Sequence, residues 1–391
     1  MSRATVFPFP EHRGVEPVLG LGGLGRLGRL VPATLRSGVS ALLVHRHEDV
    51  RRVLTDPAFA RSPAARFGLS ARSAESLALN AVDAPDHTRR RRLVAHVFTA
   101  QQATKLRPEV TRLAEELLAG MLERGEPADL LAEFAVPLTV GVISRVFGLG
   151  ESEVRRLLPL VERMMSTTAF TRAEVAEAHH RMFTEFERFL VGPHPDPDGL
   201  FGRLARARDD GELTPDESVH LAYGLLIAAH ETTVNQLGLC VLLLQRDQEL
   251  TELLRARPEL LPAAVTEMLR FSSLNATGGV PHVVQRPVRL GGSLLAPGTV
   301  VLPVTDGANR DPEVFPEPDR LCPHRPANPH LAFGHGRHRC LGAALAQMEL
   351  EVALGALLRL LPGLKPAVPE EDLQWRTGMY IRGVQKLPVS W

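Results

Sequence analysis

The spacing of apolar positions along the chain predicts a protein built mainly from helices. The longest begins at LTPDE, where Thr214 is placed to cap it, Pro215 suits the first helical position and Glu217 completes a capping box. No proline follows before about Gln245, so at ~1.5 Å per residue the segment forms a rod of about 45 Å, enough to cross a domain. Leu221 to Ile227 and Leu237 to Leu244 are apolar nearly all round, which predicts that both halves are buried. Between them stands AAHETT, 228–233. A glutamate and two threonines at the centre of a buried helix are costly unless partnered, so this segment needs either a satisfied polar network or a function.

Residues 107–124 space their apolar positions three and four apart, which predicts a surface helix with one buried stripe. Short runs on either side of GG at 291–292 read as small strands, as does PGTVVLPV at 297–304, and the closing YIRGVQKLPVSW offers another. The prolines and glycines of VGPHPDPDG, 191–199, predict a loop. No unit of ~20–50 residues repeats and no low-complexity tract separates domains, so the chain reads as a single domain over 1–391. A different pattern occupies 330–358, HLAFGHGRHRCLGAALAQMELEVALGALL. Glycines and histidines crowd around Cys340, and a long amphipathic helix follows to about Leu360, closed by Pro362 and Gly363. A cysteine just before a helix N-terminus, flanked by Arg337, His338 and Arg339, is in a setting that favours the thiolate, the form that ligates metal. Gly334 and Gly336 allow the backbone to pass close to a flat, bulky object.

Composition narrows the partners. The 45 basic and 45 acidic residues cancel, which removes the bulk positive field of a nucleic-acid binder. Nearly all the basic residues are arginine, so the positive charges are fixed and fork-shaped. Three cysteines, Cys240, Cys322 and Cys340, without a CxxC argue against a disulfide framework or a structural zinc site and predict a reducing cytoplasm. Cys240 reads as a small core residue, and Cys322 lacks a setting for reactivity. The prolines and charges near the N-terminus argue against export, and no uninterrupted apolar run approaches the ~20 residues of a bilayer span, so no membrane association is expected.

FGHGRHRCLG, 333–342, resembles the haem-thiolate signature FGxGxHxCxG of the cytochrome P-450 superfamily at every defined position. Further motifs follow the family's order across nearly the whole chain. DAPDHTRRRRLV, 83–94, is similar to the haem-facing helix and AAHETTVN, 228–235, to the oxygen-activating helix. TEMLRF, 266–271, holds an ExxR pair, Glu267 and Arg270, and NRDPEVFPEPDRL, 309–321, resembles the segment whose arginine, here Arg320, completes a structural triad. The resemblance implies a fold that is mainly α with small β-sheets, holding haem b between the long central helix and the cysteine loop. Cys340 would be the iron ligand. His87, Arg91, His282 and His338 would contact the propionates, while Ala228, Ala229, Phe333, Gly334 and Gly342 line the haem. At His282 many relatives have arginine; the charge of a histidine there depends on pH. Glu231 and Thr232 match the acid–alcohol pair that delivers protons.

The family's substrate loops map onto Met164, Met165, Phe170, Leu274, Asn275, Thr277, Met379 and Tyr380, a mostly apolar set that implies a sizeable, largely apolar ligand. By this resemblance the chain is an NAD(P)H-driven monooxygenase acting on a secondary metabolite or peptide, free or tethered to a carrier protein. No flavin or iron–sulfur motif is present, so a ferredoxin or flavodoxin with its NAD(P)H reductase would bring electrons. Arg89 to Arg92 with Arg337 and Arg339 would form its basic docking patch. Two rivals are an enzyme of oxidative cross-linking and a non-catalytic haem sensor; the Glu231–Thr232 pair speaks against the sensor, which has no need of proton delivery.

Overall fold

The computed structural model describes residues 5–7, 14–15, 27–35, 37–67, 79–192, 196–272, 274–276 and 278–391. The chain forms two compact units, Met1–Arg89 with Glu267–Cys340 and Arg90–Thr266 with Leu341–Trp391.

The first unit is organised by a six-stranded sheet. Its strands lie in the order Thr5–Phe7, Leu30–Leu35, Ser40–Val44, Val300–Pro303, His282–Val284 and Phe59–Ala60. The alternating burial of Leu30–Leu35 and Ser40–Val44 sends Val31, Ala33, Ala41 and Leu43 into one apolar cluster with Val283, Val300 and Leu302. The Gly-Gly turn appears as expected: Gly291 (φ 53°) and Gly292 (φ 83°) join the hairpin strands Val288–Leu290 and Ser293–Leu295.

The second unit is helical. Thr214 caps the central helix Pro215–Arg246 as predicted, with its hydroxyl accepting from Glu217 N at 3.2 Å while its own N donates to Glu217 Oε2 at 3.0 Å. By length and composition this helix could cross a membrane, but 78% of its apolar window is buried inside the fold, which makes it a core helix. The helix predicted at 107–124 starts earlier, at Ala100, behind a Thr99 cap, and runs through Pro108. The buried stripe Ala103, Val110, Ala114, Leu118 and Met121 continues across the proline, so tertiary packing outweighs the local break. Strands Ala128–Asp129, Lys365–Pro366 and Pro388–Ser390 form a small sheet, the last of them within the predicted C-terminal segment.

Candidate functional site

The Cys340 loop of the first unit is shaped by its own backbone. Cys340 N donates to Phe333 O at 2.7 Å, Gly334 N to Leu331 O at 2.8 Å and Arg339 N to Gly336 O at 3.1 Å. Gly336 adopts φ 68°, and a Cβ there would stand 2.7 Å from Leu54 O, so the helix His47–Thr55 braces the loop only because this residue is glycine. The loop leaves Cys340 exposed and Phe333 half-buried beside the His330 ring, 5.9 Å away. In the second unit, Gly342 precedes the helix Ala343–Leu360, and a Cβ on it would meet nothing within 4 Å.

Also in the first unit, five polar side chains cluster. The His87 and His338 rings lie 4.1 Å apart, and the buried His338 Nε2, without a hydrogen bond, is 3.8 Å from Asp83 Oδ1. Asp83 accepts from Arg61 N at 2.9 Å and Ser62 N at 2.8 Å. Burial alone would raise the Asp83 carboxyl; His338 and these N–H groups more than offset it and hold it below the usual carboxylate range. Arg61, absent from the sequence-based set, donates from Nε to His282 Nε2 at 3.2 Å. His282 Nδ1 lies 2.9 Å from Val280 O, so both ring nitrogens are used inside the protein. Burial first, then the Arg61 charge, pushes His282 down to about 3, and burial also lowers His338. The expectation of a pH-dependent charge on His282 is therefore corrected: it is neutral at physiological pH. A cation, neutral imidazoles, a buried ring nitrogen lacking a hydrogen bond and a loop with an exposed thiol suit a haem, whose propionates need donors and whose iron needs a thiolate.

Arg91 lies half-buried in the second unit, four residues beyond His87 on the helix Asp86–Val94. Its neighbour Arg90 is only 3% exposed and pairs with Glu217 at 2.8 Å, so it drops out of the expected docking patch. Arg92 and Arg339 are exposed.

In the second unit the AAHETT segment is fully helical. The Thr232 hydroxyl donates to Ala228 O at 2.6 Å and that of Thr233 to Ala229 O at 3.2 Å. Each thus commits its proton to its own helix and keeps lone pairs for accepting. Glu231 is buried, accepts from Asn235 Nδ2 at 3.3 Å and forms an ion pair with Arg376, which also reaches Glu162 at 3.3 Å. Arg376 is a second residue that sequence reasoning missed. Its segment approaches the central helix at Gly383, where a Cβ would collide with the Asn235 side chain. A cavity of about 780 Å³ is lined by Glu231, Arg376, His230, Glu162, Phe170 and Met379, among others. His230 is held neutral, pushed down to about 4 chiefly by burial, with Nδ1 3.1 Å from the Thr139 hydroxyl.

The same unit brings five expected substrate residues together. Met164 and Met165 are buried at the end of the helix Glu151–Met164, and Phe170 N donates to Ser166 Oγ in the turn that follows. That turn is tied to the C-terminal segment: Thr167, Thr168 and Ala169 all donate to Gly378 O at 2.7–3.1 Å, and Tyr380 N donates to Met165 O at 2.9 Å. Met379, 6% exposed, pairs with Ser166 in a β-bridge. Leu274 and Asn275 are half-buried in the first unit, and Thr277 lies outside the described residues.

One expected member of the structural triad is replaced. Glu267 receives Arg270 through Nε and Nη2, both at 2.8 Å, but its second arginine is Arg325, at 3.1 Å. The Arg320 side chain is 74% exposed beside Glu317, and only its carbonyl reaches the network, accepting from Arg270 Nη2 at 3.2 Å. Turns closed by Arg320 N to Glu317 O and Arg325 N to Cys322 O carry the later arginine inward.

Comparison with known proteins gives a consistent neighbourhood. The Cytochrome P450 family profile matches residues 156–362. Nocardicin C N-oxygenase of Nocardia uniformis subsp. tsuyamanensis is 39% identical over 359 residues, 90% of each chain. Mycinamicin IV hydroxylase/epoxidase of Micromonospora griseorubida is 39% identical over 392 residues, covering 98% of this chain and 99% of that one. Among solved structures, the crystal structure of HinD with NMFT and NO matches with TM-score 0.94 and 40% identity over 100% of both chains.

Proposed function

The chain belongs to the cytochrome P450 family of haem-iron monooxygenases, and from that premise we propose that it uses haem b to insert oxygen into a sizeable, largely apolar secondary metabolite in the cytoplasm. Electrons come from a ferredoxin or flavodoxin served by an NAD(P)H reductase. The relatives named for nocardicin and mycinamicin chemistry support this class of substrate. When bound, the haem supplies oxygen activation, helped by electron donation from a thiolate ligand. Cys340 is the residue to provide that thiolate, and His87, Arg91 and His338 are donors suited to the propionates.

The observation that carries the oxygenase reading is the polar step in the central helix. Thr232, its proton committed to Ala228 O, offers lone pairs to a donor, and the neighbouring Glu231 can pass protons inward if Arg376 yields it to water in the adjoining cavity. Phe170 and Met379 give that cavity an apolar side suited to holding the substrate.

Reduced, haem-loaded protein exposed to carbon monoxide should give the red-shifted Soret band of thiolate ligation, and Cys340→Ala should abolish it; wild-type protein lacking the band refutes the reading. Thr232→Ala should keep the band but divert NAD(P)H equivalents to peroxide, lowering product per NAD(P)H about tenfold or more. Tight coupling in that variant would remove the proton-delivery role. Product mass separates oxygenation, a gain of one oxygen, from oxidative coupling, a loss of two hydrogens.

A further inference from the structure

We propose that Arg61 supplies the positive charge that receives a haem propionate, and that His282 serves as the neutral acceptor that positions it. This rests on the haem-thiolate reading above and assigns a role within it. The placement follows from strand register. Phe59 pairs with Val284 and Ala60 with Val283 in antiparallel order, so the next residue, Arg61, comes opposite His282.

The hydrogen-bond chemistry then fixes the direction of each contact. Val280 O can only accept, so the proton of His282 resides on Nδ1, and Nε2 presents the lone pair that Arg61 Nε–H requires. With both nitrogens engaged, His282 has no N–H left to offer a carboxylate. Arg61 does. Its backbone is clamped by Asp83, whose oxygens accept from Arg61 N and Ser62 N, and Asp83 N donates in return to Ser62 Oγ at 3.0 Å. Among the described residues the Arg61 terminal nitrogens make no hydrogen bond and no carboxylate comes within 4.0 Å of them. Burial pushes this guanidinium down only to about 10, so it stays charged at neutral pH. A half-buried, oriented guanidinium with two free terminal nitrogens, beside His338, matches the two oxygens of a carboxylate.

The test uses full-length, haem-loaded protein and measures haem transfer to excess apomyoglobin, with far-ultraviolet circular dichroism confirming that each variant is folded. R61Q should lose haem about tenfold faster or more, and R61K should recover part of the loss, since it restores charge without the fork. If His282 acts through Arg61, H282Q added to R61Q should change the rate less than about twofold. Equal rates for R61Q and wild type would overturn the proposal, and so would additive effects of R61Q and H282Q. The carbon-monoxide spectrum of the wild type distinguishes the two levels: absence of the thiolate band defeats the haem reading, whereas its presence with an unaffected R61Q defeats only this inference.

Discussion

Two buried glutamates, Glu267 and Glu231, are each held by arginine, yet their surroundings differ. Glu267 is 2% exposed and accepts from Arg270 twice, from Arg325, from Cys322 N at 3.0 Å and from Asn328 Nδ2 at 2.9 Å. Those donors saturate its lone pairs and tie the helix end at 267–270 to the loop at 322–328, so the carboxylate has no partner left to gain. Glu231, 6% exposed, has Arg376 and Asn235 and adjoins a cavity with room for water. A saturated carboxylate is a fixture; an under-saturated one beside a cavity with room for water can exchange partners. The difference supports an architectural role for Glu267 and the proton-moving role proposed for Glu231.

The largest effect should come from breaking the saturated site. Arg325→Ala leaves Glu267 short of a buried cation and should cost about 3–5 kcal/mol in denaturant melts, with little folded protein recovered. Arg320→Ala should stay within about 0.5 kcal/mol, and the reverse ranking would restore Arg320 to the triad. At the other site, Arg376→Gln should cost about 1–3 kcal/mol and alter the solvent isotope effect on product formation; superimposable melts would show that the ion pair does not hold Glu231.

A further effect is graded with pH and common to both sites. His330, close to Glu267, and His230, next to Glu231, are each pushed down to about 4, mainly by burial. Their pKa values are depressed by folding, so the unfolded chain takes up their protons first as pH falls. The stability they contribute is complete above about 6.5 and is lost between there and about 4. Each histidine should account for a slope of at most about 1.4 kcal/mol per pH unit in that window, and His230→Gln should remove one share. Melts at pH 7, 6 and 5 that run parallel for the two proteins would contradict this.

What was legible in the sequence was whatever chemistry lay in one continuous stretch. The Cys340 loop, the Thr214 cap and the polar interruption of the central helix each occupy fewer than a dozen consecutive residues, and each folds as its spacing predicts. Arg61 and Arg376 were invisible because their partners lie 221 and 145 residues away and are reached through strand register and hairpin docking. That Arg325 and not Arg320 meets Glu267 is hidden for a related reason: both lie in one loop, and only the two turns between Glu317 and Arg325 decide which side chain is carried inward. Pro108 shows the opposite limit, a strong local signal overridden by a buried stripe.

The carbonyl of Gly378 has a consequence for engineering. By collecting three N–H groups from residues 167–169 it makes two segments, some two hundred positions apart in the chain, into one exchangeable part. Gly378 itself holds φ 67°, and a Cβ there would stand 2.6 Å from Thr168 Oγ1, so the fit depends on both sides. Swapping either segment alone from a relative would break that match and leave three donors without their acceptor. A loop graft here should succeed only when 165–170 and 378–380 are transplanted together.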